Sequence, residues 1–217
     1  AQKGKPMVPI IFGPLRTRET PRQSRAVTRV HVILNATAAL LAENRLQDLT
    51  TTAIATRAEV PVSSIYRYFP TLDDVLLELY SQTANELRAK LFASLDDVHA
   101  HTTWRDRLRA VLDVQRSYLA RHPYYRPLLL HFATKRGPLA IEDDDHDDLV
   151  RFLCNRWESG ADGFQGGDPV VVAKTTIQIS LAMEDLVAAQ ADRRSSRPYS
   201  QELTKVLEHY LAQYLSD

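Results

Sequence analysis

Between Ser63 and Tyr68 the chain brings two hydroxyls, two phenols and one guanidinium into six residues, in the order Ser63, Ser64, Ile65, Tyr66, Arg67, Tyr68. Such groups donate hydrogen bonds well but, without an activating partner, are poor acids, bases or nucleophiles near neutral pH. Arg67 could pair bidentately with guanine or hold a phosphate, and Val62 could rest against a thymine methyl. Ser63 and Ser64 lie where the start of a short helix would reach base edges. A second hydroxyl cluster, Thr50, Thr51 and Thr52, falls at another candidate helix start, whose unpaired N–H groups would favour an anion.

No comparable set points to catalysis. His31, His99, His101, His122, His131, His146 and His209 are scattered without ligand spacing, and Cys154 is the only cysteine. Catalysis needs a convergent acid, base or nucleophile, and none is patterned here. The run Asp143–Asp148, with His146 inside it, invites a metal reading. Consecutive helical residues point in different directions, however, so a solvated acidic helix start is the simpler account. Neither a metal nor a cofactor is expected.

These groups need elements to hold them. Val30, Ile33, Leu34, Thr37, Ala38 and Leu41 repeat at three- and four-residue spacing, which predicts a helix over 24–44. Thr50 can cap a second helix that buries Ile54, Ala55 and Ala58. Pro61 can open a third, with Ile65 and Phe69 inward and Ser63, Ser64 and Arg67 outward. Helices this short need one another to close a core, and the arrangement reads as a helix-turn-helix. Thr71, followed by Asp73 and Asp74, caps a long helix reaching about Leu95. Further helices are expected at about 104–121, 124–134, 144–158, 169–191 and 200–215, separated by Gly137-Pro138, the glycine-rich 160–167 stretch and 192–198. The expectation is an all-α chain of about nine helices: a basic arm over 1–23, a three-helix head over 24–70 and a larger helical body over 71–217.

Lysine plus arginine equals aspartate plus glutamate at 27 each, yet the charges are unevenly placed. Residues 1–69 hold ten basic and four acidic residues, leaving +6 on that third and −6 on the remainder. A basic module on an acidic body fits a polyanion partner. No apolar run approaches the ~20 residues that span a bilayer, and Met7–Phe12 is too short and too interrupted for a secretory segment. A cytoplasmic protein without a membrane partner is expected.

With those residues placed, the chain resembles the TetR family of bacterial transcription factors over about residues 29–80. Residues 33–44 (ILNATAALLAEN) match the first helix and 49–60 (LTTTAIATRAEV) the second helix and turn. Residues 63–69 (SSIYRYF) and 72–76 (LDDVL) match the recognition helix and the start of the fourth. The resemblance implies that Thr50 and Tyr66 touch phosphates, that Tyr68 lies near the backbone, and that Arg25 and Arg29 face it. Three positions depart from the pattern: Arg45 and Glu59 stand where glycines are usual, and Pro61 replaces a capping serine.

The same resemblance implies a homodimer on a palindromic operator in double-stranded DNA, paired through the last two helices. Val172, Thr176, Ile179, Met183 and Leu186 would serve on one. Leu203, Val206, Leu207, Tyr210 and Tyr214 would serve on the other, and all of these suit an intrachain core equally well. It also implies a cavity among the middle helices for an unidentified, largely apolar small-molecule effector. Candidate lining residues are Trp104, Leu108, Tyr118, His122, Tyr125 and Leu129, with Phe132, Phe152, Trp157, Gln178, Met183 and Glu184 from later helices. The expected function is a repressor that this effector releases. The alternative is a helical interaction scaffold that has lost specific DNA binding.

Overall fold

In a computed structural model of the chain, the described residues are 21–97, 102–136, 147–188, 190 and 193–216. Residues 1–20 of the arm expected over 1–23 and most of the 143–148 acidic run lie outside them, while residues 21–23 already belong to the first helix. Nine α-helices are present among the described residues: α1 (Pro21–Glu43), α2 (Thr51–Arg57), α3 (Val62–Tyr68), α4 (Leu72–Asp96), α5 (Trp104–Arg121), α6 (Tyr125–Arg136), α7 (Asp147–Glu158), α8 (Pro169–Ala188) and α9 (Arg193–Leu211). No helix there is long and apolar enough to cross a membrane.

The head forms around the predicted stripe. Ile33, Leu34, Thr37 and Leu41 of α1 are buried against Ile54, Ala55, Ile65 and Phe69. Thr37 keeps its hydroxyl inside by donating to the Ile33 carbonyl at 2.9 Å. Arg45 needs no left-handed geometry, because it lies in extended backbone before a short 3₁₀ turn, Leu46–Asp48. A Glu43–Arg57 pair then staples α1 to α2 with two bonds, at 2.6 and 3.1 Å.

α4 joins head to body. It opens with the expected cap, completed into a reciprocal box: Thr71 Oγ1 accepts from Asp74 N–H while Asp74 accepts from Thr71 N–H at 2.8 Å. Leu128 and Phe132 of α6 belong to the same core as the head residues, and Tyr80 stacks on Tyr125 at 5.5 Å. His131 Nε2 sits 3.1 Å from Asp73. The head is therefore seated on α6 as well as attached through α4.

The body has a second core, from Trp104, Val150, Cys154, Trp157, Val172, Ala173, Ile177, Leu211 and Leu215. A smaller third core gathers Leu112, Leu203 and Leu207. One expected boundary is corrected here. α9 begins at Arg193, seven residues before the expected Ser200, and carries Pro198 inside it. A proline this near a helix start removes one backbone bond, while Ser200, Leu203, Leu207 and Leu211 keep one buried stripe. The helix also ends at Leu211, with Ala212–Tyr214 in turns.

The glycine-rich stretch holds the chain's end. Ser216 N–H donates to the Asp162 carbonyl at 3.1 Å and Gln165 N–H to Tyr214 at 2.8 Å. Gly167 has φ +79, and a Cβ there would fall 2.8 Å from the Tyr214 ring, so the close approach needs glycine.

Candidate functional site

The outward side of the head follows from what α3 must bury. With Ile65 at 0 % exposure and Phe69 next to it in the core, the helix turns Ser63, Tyr66 and Arg67 to solvent. Ser64, Val62 and Tyr68 are half-buried, with Val62 and Tyr68 packed on the core edge. The Arg67 guanidinium carbon lies 5.8 Å from the Tyr68 ring centre, so that ring helps to hold it. Tyr66 is 52 % exposed, a large surface for a residue with no structural task in the head.

Thr50 caps α2 by accepting from Ala53 N–H at 3.1 Å. That bond uses an oxygen lone pair and leaves its own O–H free to donate. Thr51 is half-buried and Thr52 exposed beside it, and Arg29 is exposed on α1. Arg25 also lies on α1, its side chain outside the described residues.

The turn between α2 and α3 is a complete Schellman closure without its glycine. Val60 N–H reaches the Ala55 carbonyl at 3.0 Å and Glu59 N–H reaches Thr56 at 3.2 Å. Glu59 takes φ +53 to make it. An L-residue pays roughly 1–2 kcal/mol for that conformation, so the sequence departure alters the energy of the turn and leaves its geometry. Pro61 stands at the N-cap of α3 with no side-chain hydrogen bond.

In the body a cavity of about 210 Å³ opens between α4, α5, α6, α7 and α8, its apolar wall including Leu87, Leu91, Leu108, Val111, Leu129 and Leu153. Of the twelve expected lining residues, Trp104, Leu108, Tyr125, Leu129, Trp157 and Glu184 border it. The other six lie elsewhere. Tyr118 is fully buried and its hydroxyl donates to the Thr83 carbonyl at 3.1 Å. Burial also pushes its pKa up, with Glu86 acting in the same direction. His122 stacks on Tyr118 at 4.0 Å, and Phe132 belongs to the head core. Phe152 stacks on Phe92 at 5.1 Å, and it is Phe92 that borders the cavity. Gln178 is exposed, and Met183 packs on Leu112, Leu203 and Leu207.

Of the charged groups of this wall, sequence reading named Glu184 and missed the arginines and Asp162. Glu184 is 5 % exposed, and burial raises its pKa against the opposing pull of Arg116 and Arg126. Arg107 and Arg156 both bond Asp162, the second through Nε at 2.8 Å. Asp162 sits at φ +63 inside the glycine-rich stretch. Its position between glycines was the available signal, because aspartate tolerates left-handed backbone and a charged residue there needs a reason. Among the described residues no group of three His, Cys, Asp or Glu is placed to hold a metal ion.

The expected pairing faces are placed differently from the periodicity reading. Val172, Leu203 and Leu207 are at most 2 % exposed, inside the chain's own cores. Thr176 borders the cavity, Ile179 and Met183 pack on the third core, and Tyr210 and Tyr214 on the second. Val206 and Leu186 do face outward, joined by Val171 and Tyr199. α8 turns Lys174 and Gln178 outward together with Val171 and Leu186, so its exposed side is mixed and spacing alone did not choose the pairing face.

Comparison with known proteins places the head. Residues 33–79 match the family described as bacterial regulatory proteins, tetR family. No curated protein matches the chain. Among solved structures, one from Mesorhizobium loti MAFF303099 assigned to the TetR family of transcriptional regulators superposes with TM-score 0.69 at 16 % identity, covering 88 % of this chain and 99 % of that one. A TetR-family regulator from Streptomyces coelicolor gives 0.56 at 23 % identity, over 86 % and 99 %. SmeT, repressor of the Stenotrophomonas maltophilia multidrug efflux pump SmeDEF, gives 0.64 at 19 % identity, over 87 % and 91 %. These likenesses extend the shared fold through the body.

Proposed function

We propose, from the match of residues 33–79 to the tetR family of bacterial regulatory proteins, a repressor that binds a palindromic operator as a homodimer and leaves it when a small, largely apolar effector fills the body cavity. The observation that carries the reading is the face of α3. Ile65 and Phe69 anchor one side while Ser63, Tyr66 and Arg67 project from the other. In this reading Ser63, Ser64, Val62 and Arg67 meet base edges, and Thr50, Thr51, Thr52, Tyr66, Tyr68, Arg25 and Arg29 hold the backbone in register. The repressor named among the structural neighbours supports the sign of regulation.

One head contacts too few base pairs to select an operator, so two are required on a symmetric dimer. The pairing surface proposed here is the outward side of α8 and α9, with Val171 and Leu186 on one and Tyr199 and Val206 on the other. Release follows from linkage: an effector that favours the DNA-incompetent arrangement weakens DNA binding by the factor by which DNA weakens its own. α4 is the lever, since Leu87 and Leu91 border the cavity while Asp73 at its start is held by His131.

Selection of bound fragments from a random duplex library tests the reading. Palindromic enrichment at a fixed half-site spacing is the expected result. A protein that selects no duplex, with affinity that depends only on salt, would instead be a helical interaction scaffold. Sedimentation of Val206→Glu, expected to shift dimer toward monomer with helicity kept, tests the pairing surface.

A further inference from the structure

The charged end of the cavity narrows the kind of effector. Two guanidiniums share one carboxylate there: Arg107 bonds Asp162 Oδ1, and Arg156 reaches Oδ2 through Nε at 2.8 Å and Oδ1 at 3.3 Å. All three side chains are nearly closed from solvent, at 9, 14 and 6 % exposure for Arg107, Arg156 and Asp162. The local sum is one positive charge in a low-dielectric setting. Burial first and the neighbouring Arg156 second depress the Arg107 pKa, against the pull of Asp106. Over the whole wall four arginines (Arg88, Arg107, Arg126, Arg156) face two carboxylates, Asp162 and Glu184.

Trp104 adds an independent observation. It lies one turn before Arg107 on α5, so the two share a helix face, and it borders the same cavity. Its indole Nε1 is the one buried side-chain nitrogen or oxygen left without a hydrogen-bond partner among the described residues. Indole N–H is a donor only, and a buried donor without a partner costs about 1–3 kcal/mol. One indole N–H is therefore left over beside a buried cluster of two guanidiniums and one carboxylate, and its complement is an acceptor, which negative charge would suit. Apart from Gln115, Thr176 and Ser180, the rest of the wall is aliphatic or aromatic.

We propose that the effector is an amphipathic organic acid, its apolar body along Leu87, Leu91, Leu108 and Leu153 and its carboxylate at the Trp104–Arg107–Arg156 end. The inference rests on the ligand-responsive reading above and adds the headgroup. A carboxylate there accepts charge-assisted bonds in a fork geometry that an alcohol cannot match. A cationic headgroup meets like charge in a poorly screened site.

Three probes of one chain length separate these cases: decanoate, decanol and decyltrimethylammonium, titrated into the full-length protein. Both tryptophans of the chain, Trp104 and Trp157, border the cavity, so intrinsic fluorescence reports its filling directly. Decanoate should bind about tenfold or more tighter than decanol, and the cation weakest. In Trp104→Phe, followed by calorimetry, decanoate should lose several-fold affinity while decanol changes little. The variant leaves the Arg107–Asp162–Arg156 cluster intact but trims the second core, so retained helicity and a cooperative thermal transition confirm that it is folded. Equal binding of decanoate and decanol, preference for the cation, or no binding by any probe each overturns the acid assignment. The regulatory reading fails separately, if the protein selects no duplex.

Discussion

The head and the body solve opposite packing problems. In the head, short helices close on Ile33, Ile54 and Ile65, all at 0 % exposure, and its charged groups stay at the surface, as in the Glu43–Arg57 staple. In the body, longer helices stop short of filling the space between them, and charge is buried at the rim of that space, as in Glu184 and the Arg107–Asp162–Arg156 cluster. A surface that must meet DNA in register gains from stiffness. On the proposed function, a site that accepts a molecule and shifts α4 gains from unfilled volume. The contrast also places the coupling: Leu128 and Phe132 of α6 sit in the head core while Tyr125 and Leu129, one helix face round, border the cavity.

The strongest test of head stiffness removes its centre. Ile65→Ala should cost about 2–5 kcal/mol, because a close-packed site collapses little around the void. A lowered thermal midpoint, followed by circular dichroism, is the expected outcome. Since α6 residues share that core, body and head should melt together. A separate early transition for the head would show that the shared core does not bind the two parts.

Arg67→Ala should leave the melting point where it was and cut operator affinity by about 1–3 kcal/mol, or roughly ten- to a hundredfold. The salt dependence of the same titration assigns the contact. A slope reduced by about one unit marks a phosphate, whereas an unchanged slope with relaxed preference at one position marks a base. An affinity equal to that of the parent would remove Arg67 from the DNA-facing surface.

The same contrast governs what could be read from the chain. In the head, function depends on short-range rules. Thr50 and Thr71 cap helices by hydrogen bonds three residues away, and the inward pair Ile65 and Phe69 fixes the outward side of α3. Both were legible, as was the break at Glu59, although spacing could not tell that glutamate would adopt φ +53. In the body, neighbours are distant in sequence. Arg107 meets Asp162 across fifty-five positions (162 minus 107), and nothing local marks either as buried. Aromatic content pointed to Trp104, Trp157 and Tyr125 but equally to Tyr118 and Phe132, which fill cores. The pairing face was hard to read for a related reason: α8 mixes Val171 and Leu186 with Lys174 and Gln178 on its exposed side, so spacing marks no single apolar face for a partner. Pro198 misplaced the start of α9 because a local breaker was outweighed by a long buried stripe.

Within the head, Glu59 is the point where stiffness is bought with strain. Glu59→Gly should stabilise the protein by roughly 0.5–1 kcal/mol, the left-handed cost removed being partly offset by the freer unfolded chain of glycine. The thermal midpoint reads this directly. The substitution also removes a negative charge beside the recognition helix, so operator affinity should rise a little and more so at low salt. A lower midpoint would mean that the Glu59 side chain contributes more than its backbone costs.

In the body the corresponding strain is electrostatic, and Glu184 sets its sign. Burial holds its folded pKa above the unfolded value, so the native state keeps a proton that the unfolded chain releases. Stability is then greatest below the unfolded pKa and falls as pH rises toward the folded one. Glu184→Gln removes that dependence. Its midpoint should exceed the parent's at pH 8 by a small margin, and the two should converge at pH 4, where the carboxyl is protonated in the native state. Midpoints measured across that range, without ligand, decide the case. If the parent is the more stable at pH 8, the attraction of Arg116 and Arg126 outweighs burial, and the cavity rim is an ordinary buried ion cluster with no electrostatic strain for a ligand to relieve.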